Sequence, residues 1–589
     1  MSSPTRPELC GSFGMVAASH WLAAGTGMSI LERGGNAFDA AVAAGLVLQV
    51  VEPHLNGPGG EVPLLCYERA ADRVSVVCGQ GTLPATASVA RLRALGLRQV
   101  PGTGLLPACV PGAFGAWMTL LERHGRLELE DVLAPAIAYA GGGFRLLPRA
   151  AATIADRADL FRRHWPTSAE VYLADGSPPP GGRRWTNPLL AATYARVLAE
   201  AAAARGGREA RIEAARRCFY EGFVAEAIDE WMSHAEVLDD SGGVHRGLLR
   251  GDDLARWRAT VEAPVAIDYA GRRVHKTGPW GQGPVFLQQL RLLEGFDIAG
   301  LAAEPAALVH VVVEAAKLAF ADREAFYGDP DAVAVPLDAL LSSAYATERR
   351  RLIGDEASDE QRPGRPAGVE PWMAEPGLVA APGDEHAVGG APPDPTGRDT
   401  CHLDVIDNEG NIVAATPSGA WLHGAPCVPG LGFSLSTRGQ MCWLDERSPS
   451  PFSGGRRPRT TLSPTLVLGP NDASLAFGTP GGDQQDQWTL AFFLRHTHLA
   501  MDLQAAIDAP TFHTTHLTGS FYPRRAHPSV IHVEERLGAD ALDALRRRGH
   551  EVVVEPAWSL GRVCAVGRNG GELVAGADAR HDQAYAVGR

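Results

Sequence analysis

The sequence is poor in lysine, and its arginines are scattered with no basic run among them. The formal net charge is −14. Binding to nucleic acid needs a basic surface against the phosphates, so this balance excludes nucleic acid as the main partner. Nine cysteines stand far apart, at positions 10, 66, 78, 109, 218, 401, 427, 442 and 564, and no C-x-x-C pair occurs. That excludes zinc ribbons and thioredoxin-like redox motifs. An odd, dispersed set reads as small buried hydrophobes in a reducing compartment, not as a disulfide framework. The best apolar stretch, Ala40 to Leu48, is far shorter than the roughly 20 residues that span a bilayer. The opening MSSPTRPELCGSFG lacks the basic and then apolar regions of a secretory signal. The expectation is a cytoplasmic protein with no membrane partner. H-E-x-x-H, G-x-x-x-x-G-K-[ST] and G-x-S-x-G are all missing, and no G-x-G-x-x-G follows a strand. No metal and no cofactor are expected.

What is present is enough chain, 589 residues with 45% hydrophobic and 21% charged, to bury a large core without staples. Residues 14 to 51 carry small and apolar residues at helical spacing. This predicts one helix capped by Ser19 and ending at Gly34-Gly35, and a second from Ala37 to Val51, stopped before Pro53. His54 to Gly60 reads as a tight glycine-rich loop leading to a strand over Val62 to Tyr67. Residues 110 to 350 read as mostly helical, with a helix from Val285 to Leu293 and another within 313 to 331. Pro363 to Arg398 holds 15 Pro or Gly among 36 residues, which suits an exposed, mobile segment. Beyond it the pattern changes to hairpins: 401 to 407 with 411 to 416, then 465 to 468 with 474 to 477. A helix is predicted from Asp483 to His496.

Two places could carry chemistry. The first is the junction Asp399-Thr400. A threonine hydroxyl is a poor nucleophile until a neutral amine sits beside it, and a free α-amine has a pKa near 8. One residue supplies both groups if the chain is cut just before it, although a threonine opening a strand is also simply a β-former. The second is FGTPGGDQQ, 477 to 485, where a strand ends, Gly481 and Gly482 turn, and a helix begins. Backbone N–H groups there can hold an oxyanion; a plain helix start explains the same residues. His513 and His516 in FHTTH would share a face only on a helix, and the threonines and Pro510 argue against one.

The motifs carry a resemblance. DTCHLDVIDNEGNIVAAT (399 to 416), RRPRTTLSPTLVL (456 to 468) and GTPGGD (478 to 483) resemble, in order, segments of the γ-glutamyltransferase family. LERGGNAFDAAVA (31 to 43), LEGFDI (293 to 298), EAAKLAFADREAFYGDPD (314 to 331) and AGADARHDQAYAVGR (575 to 589) are similar too, so the resemblance spans nearly the whole chain. It implies an α+β fold, the four-layer αββα sandwich of N-terminal-nucleophile hydrolases. It also implies a precursor that cuts itself between Asp399 and Thr400. The products would be a large subunit, 1–399, and a small catalytic subunit, 400–589, held as a heterodimer, with further dimerisation left open. Thr400 is then the nucleophile, Ser418 supports it through a hydroxyl contact, and the N–H groups of Gly481 and Gly482 bind the oxyanion.

The sequence departs from the family in the substrate pocket. Gln80 stands where the family has a carboxylate-gripping arginine, and Ala420 stands where it has an asparagine. No acid lies in 434 to 441, and Thr460-Thr461 replace a serine pair. Glutamine cannot replace a bidentate guanidinium. The implied partner is therefore a small-molecule amide other than a standard γ-glutamyl compound, such as an oxamate-like amide or an acylase substrate, with Gln80, Arg459, Thr460 and Thr461 as candidate substrate ligands. Three alternatives stay open. The pocket could be remodelled, with Arg459, Arg438 or Arg73 as cation and Asp445 or Glu446 as acid. The chain could be an unprocessed binding homologue. Cys401 could be the new N-terminus.

Overall fold

The structure is a computed structural model of the uncut chain and describes residues 5–173, 175–375, 378–379, 400–580 and 583–589. Fourteen strands form its centre: β1 (Leu9–Gly11), β2 (Gly14–Ala18), β3 (Val62–Glu68), β4 (Arg73–Gly79), β5 (Thr260–Glu262), β6 (Val265–Tyr269), β7 (Arg272–Lys276), β8 (Leu403–Asp407), β9 (Ile412–Ala415), β10 (Thr465–Leu468), β11 (Ser474–Gly478), β12 (Cys564–Asn569), β13 (Glu572–Ala577) and β14 (Tyr585–Gly588). One sheet has the order β1-β13-β12-β11-β10-β7-β6 and the other β14-β2-β8-β9-β3-β4-β5. Neighbouring strands within both sheets are antiparallel.

The sheets face each other across an apolar layer. Met15, Leu65, Ile406 and Ile412 come from one side, and Leu466, Ala476, Val566 and Leu573 from the other. Helices α1 (Trp21–Glu32), α2 (Ala37–Val51) and α3 (Ala113–His124) cover the outer face of the second sheet. Helices α4 (Gly283–Leu293), α6 (Gln485–His498) and α7 (Leu503–Asp508) cover the first, and α5 (Pro305–Phe326) packs behind α4. This is the αββα sandwich. Burial between sheets and under helices explains why β2 and β8 are buried along their whole length. A strand covered on both faces shows no alternation of polar and apolar residues.

That same burial corrects one expectation. Residues 14 to 18 form β2, not helix, because a fully buried strand has the same small-apolar spelling as a buried helix. Ser19 does not cap α1. His20 does, its Nδ1 accepting from Leu22 N at 3.1 Å, while the Ser19 hydroxyl donates to Glu52. Helix α2 runs over the predicted residues. Asn36 accepts from Phe38 N and Asp39 N, Asp39 closes the capping box, and every residue of the helix is buried. The hairpins β8–β9 and β10–β11 form as expected, with Gly410 at φ 87° in the first turn. The helix at 483 begins instead as a 3₁₀ turn, Gly482–Gln484, with α6 starting at Gln485.

Residues before and after position 399 contribute seven strands each, and both sheets contain strands from both parts. The 399/400 junction therefore divides the sequence but not the packing. The segment 380–399, with Asp399, lies outside the described residues. The described start of the proline-glycine stretch is anchored: Gly364 N donates to Asp322, and the Trp372 ring packs tilted against Trp443 at 5.1 Å. Among the described residues no helix is long and apolar enough to cross a membrane.

Candidate active site

Thr400 sits three residues before β8, a central strand, and its side chain is fully buried. It bridges Ser418, and Cys401 N donates to Pro417 O at 2.9 Å. This pairing sets the Thr400 and Ser418 hydroxyls 3.2 Å apart. Ser418 is held on its other side by the backbone of Glu61, with Glu61 N to Ser418 O at 2.9 Å and Ser418 N to Glu61 O at 3.0 Å. The loop 54 to 60 thus places Glu61 behind the Thr400–Ser418 pair. Gly59 and Gly60 are glycines for a steric reason: a Cβ there would lie 2.1 Å from the carbonyl oxygens of Ser434 and Ser418 respectively.

A fully buried guanidinium completes this corner. Arg438 Nη2 donates to Ser418 Oγ at 2.9 Å and its Nε to Glu61 Oε1 at 2.6 Å. Ser436 Oγ donates to Glu61 Oε2 at 2.5 Å. The guanidinium lies 5.0 Å from the Trp421 ring and 5.9 Å from Phe521. Phe521 in turn packs against Gly482, where a Cβ would come within 2.9 Å of its ring.

Below Thr400, His402 is locked by Thr416 Oγ1 and Asp404 Oδ2, each at 2.9 Å. Burial pushes the Asp404 carboxyl up to about 6, and the adjacent His402 only partly opposes this. Cys401 donates to Glu52 Oε2 at 2.9 Å and receives Asn56 Nδ2 at 3.1 Å. Burial and the Glu52 carboxylate hold its thiol well above the usual range, which makes it a structural group and a poor nucleophile.

The Gly481-Gly482 turn follows β11, and the start of β8 lies against the end of β11. A Cβ on Gly478 would meet the His402 ring at 2.3 Å. Gly481 and Gly482 adopt φ of 131° and 53°, open to glycine at little cost. A Cβ on Gly481 would lie 2.4 Å from the Trp488 ring. Among the described residues no acceptor takes either N–H. The turn is fixed from below. Asp483 receives Ser520 N at 2.8 Å, Ser520 Oγ at 2.6 Å and the Arg323 guanidinium; burial opposes its ionisation, but Arg323 wins and holds the carboxyl below its ordinary value. Gln282 Nε2 donates to Gly482 O at 3.3 Å.

The four candidate substrate residues are all buried. Gln80 is buried, its Oε1 without a partner among the described residues. Thr461 Oγ1 is likewise buried and unpartnered there. Thr460 is bound through its N–H to Trp280 O at 2.9 Å, next to Gly281 and Gln282. Arg459 is buried against Glu324 at 2.9 Å and Ser520 at 3.4 Å, leaving Nη1 unused. Of the other cations, Arg438 reaches Ser418 and Arg73 does not: Arg73 is exposed on the far end of β4 and pairs with Glu68. Asp445 is taken by Arg447 and Trp372, and Glu446 is exposed. His513 lies in a strand, Phe512–Thr514, and stacks on His532 at 4.7 Å. The Glu61–Ser436 brace was not legible in the sequence; the run of glycines before Glu61 was its only local signal.

Two facing antiparallel sheets between helical layers, with a threonine leading a central strand and a Gly-Gly turn ending the strand opposite, define an N-terminal-nucleophile hydrolase. The sequence model of the γ-glutamyltranspeptidase family matches residues 23–588. A glutathione hydrolase-like proenzyme of Bacillus subtilis, YwrD, is 31% identical over 586 residues, 99% of each chain. An acylase proenzyme of a Pseudomonas species, ACY 1, is 32% identical over 93% of this chain and 88% of its own. An oxamate amidohydrolase proenzyme of Klebsiella pneumoniae is 28% identical over 98% of both. The solved structure of LmbA2991HD is 51% identical and covers all of both chains with a TM-score of 0.94. The chain belongs to the γ-glutamyltranspeptidase family, and it is an enzyme of that family's amidohydrolase and acyltransferase kind.

Proposed function

We propose that the chain matures by cutting itself before Thr400 and then hydrolyses a small amide other than a standard γ-glutamyl compound. The observation that carries this is the buried Thr400–Ser418 hydroxyl pair at 3.2 Å, beside the glycine turn. In maturation the Thr400 oxygen attacks the carbonyl of residue 399, the C–N bond breaks, and the nitrogen takes the hydroxyl proton. Water then opens the resulting ester, releasing the carboxylate of residue 399 and regenerating the Thr400 hydroxyl beside the amine already freed. In turnover that amine accepts the Thr400 hydroxyl proton as the oxygen attacks the substrate amide. The N–H groups of Gly481 and Gly482 receive the oxyanion, the leaving amine departs with the proton, and water resolves the acyl ester. One such donor contributes about 3 kcal/mol to the transition state.

The neutral Gln80 and Thr461, each with an unused buried polar atom, support a neutral polar substrate end. The names of two relatives, an acylase and an oxamate amidohydrolase, support the same class. A second reading, γ-glutamyl transfer with a relocated cation, is favoured by Arg459, whose Nη1 is free to donate. Intact mass under denaturing conditions tests the first step. Two species, 1–399 and 400–589, are expected from the natural chain, a single one from Thr400→Ala, and partial cutting from Thr400→Ser. A Thr400→Ala chain that still matures removes Thr400 from the mechanism, and an uncut natural chain favours a binding homologue. Fast release of nitroanilide from a γ-glutamyl anilide selects the second reading.

A further inference from the structure

We propose that Arg438, paired with Glu61, is an electrostatic positioning residue that holds the Ser418 oxygen beside Thr400 and makes the freed Thr400 amine less basic. The inference rests on Thr400 as the nucleophile. The guanidinium donates into Ser418 Oγ at 2.9 Å. That contact fixes the Ser418 oxygen, which lies 3.2 Å from Thr400 Oγ1. Two hydrogen-bond lengths therefore separate a buried cation from the reacting oxygen. Its position is fixed by Glu61, by the Trp421 face and by burial, not by solvent. A cation at such range disfavours a second positive charge, so the α-amine stays neutral at lower pH and serves as base. Removal of the hydroxyl proton also gains, because the developing alkoxide faces a donor backed by positive charge.

Other charged groups face this corner from the elements packed around it. On its own strand His402 bonds Asp404. From the end of α2, Glu52 is bound by Ser19, Cys401 and Gln583, with Arg562 nearby. His54, in the loop after α2, is held neutral by burial and by Arg149 and Arg562. At the glycine turn Asp483 is paired with Arg323. Arg438 is the cation bonded directly to the nucleophile's hydroxyl neighbour, and Glu61 tempers it.

The test reads the rate at which p-nitrophenyl acetate acetylates the matured enzyme, followed as nitrophenol and located by mass on the 400–589 chain, across pH. The acid limb reports deprotonation of the amine. Arg438→Gln is expected to move that limb up by about one pH unit, and Glu61→Gln, which leaves the cation uncompensated, to move it down. Arg438→Lys keeps the charge and is expected to hold the limb in place while slowing the rate. A limb unmoved in Arg438→Gln, or moved the same way in both glutamine variants, overturns the proposal. Should Arg438→Gln fail to mature, the direction in Glu61→Gln decides alone. If the natural enzyme is not acetylated on Thr400, the nucleophile assignment fails instead.

Discussion

Ser418→Ala removes one oxygen from the centre of the site, and its consequences can be worked out contact by contact. The hydroxyl accepts from Arg438 at 2.9 Å and lies 3.2 Å from the Thr400 hydroxyl. Without it, Arg438 Nη2 loses its acceptor in a fully buried corner. The Glu61 bond at 2.6 Å remains, so the guanidinium stays paired. An orphaned buried donor costs about 1 to 3 kcal/mol of stability. The larger effect falls on rate. Losing the preorganised hydroxyl beside the Thr400 oxygen is expected to cost about 3 kcal/mol of transition-state stabilisation, or roughly a hundredfold in maturation rate. Ser418→Thr keeps the oxygen and is expected to mature within a few-fold of the natural chain. The assay is the time course of intact mass after synthesis, with the melting temperature measured alongside. A Ser418→Ala chain that folds and matures at the natural rate would refute the reasoning, because the 3.2 Å contact would then do nothing for attack.

Gly478→Ala would set a methyl within 2.7 Å of three His402 ring atoms and push that ring off both Thr416 and Asp404. A loss of about 3 to 5 kcal/mol is expected from overpacking and the broken bonds, read by chemical denaturation. Gly25→Ala, in α1 with nothing within 4 Å, is expected to stabilise by about 0.5 to 1 kcal/mol in the same assay. Asp404→Asn tests the buried acid. Its folded value near 6 lies above the ordinary 3.8, so its contribution to stability is present at low pH and is lost as pH rises through 6. The neutral variant should therefore gain on the natural protein by about 3 kcal/mol between pH 4 and pH 8, and a pH-independent difference between the two would count against an ionisable Asp404.

The helix α2, the two small-subunit hairpins and the glycine turn were all legible in the sequence. Each depends on local chemistry: a capping box at Asn36 and Asp39, a left-handed glycine at 410, and glycines at 481 and 482 whose φ no side chain adopts comfortably. Thr400 and Ser418 were legible as a pair only through the order of motifs around them. What the sequence could not fix was whatever depends on two distant segments meeting. Residues 14 to 18 became a strand because β8 and β14 flank them, a pairing across more than 380 positions. Arg438 was one buried arginine among several until Glu61, 377 residues away, fixed it against Ser418. The sequence by itself determined the strand that Thr400 leads and the turn that faces it, because backbone conformation and capping are local. Only the tertiary structure decided which charge stands beside the Thr400–Ser418 pair, because the partner of a buried charge is set by packing between segments that the chain order leaves far apart.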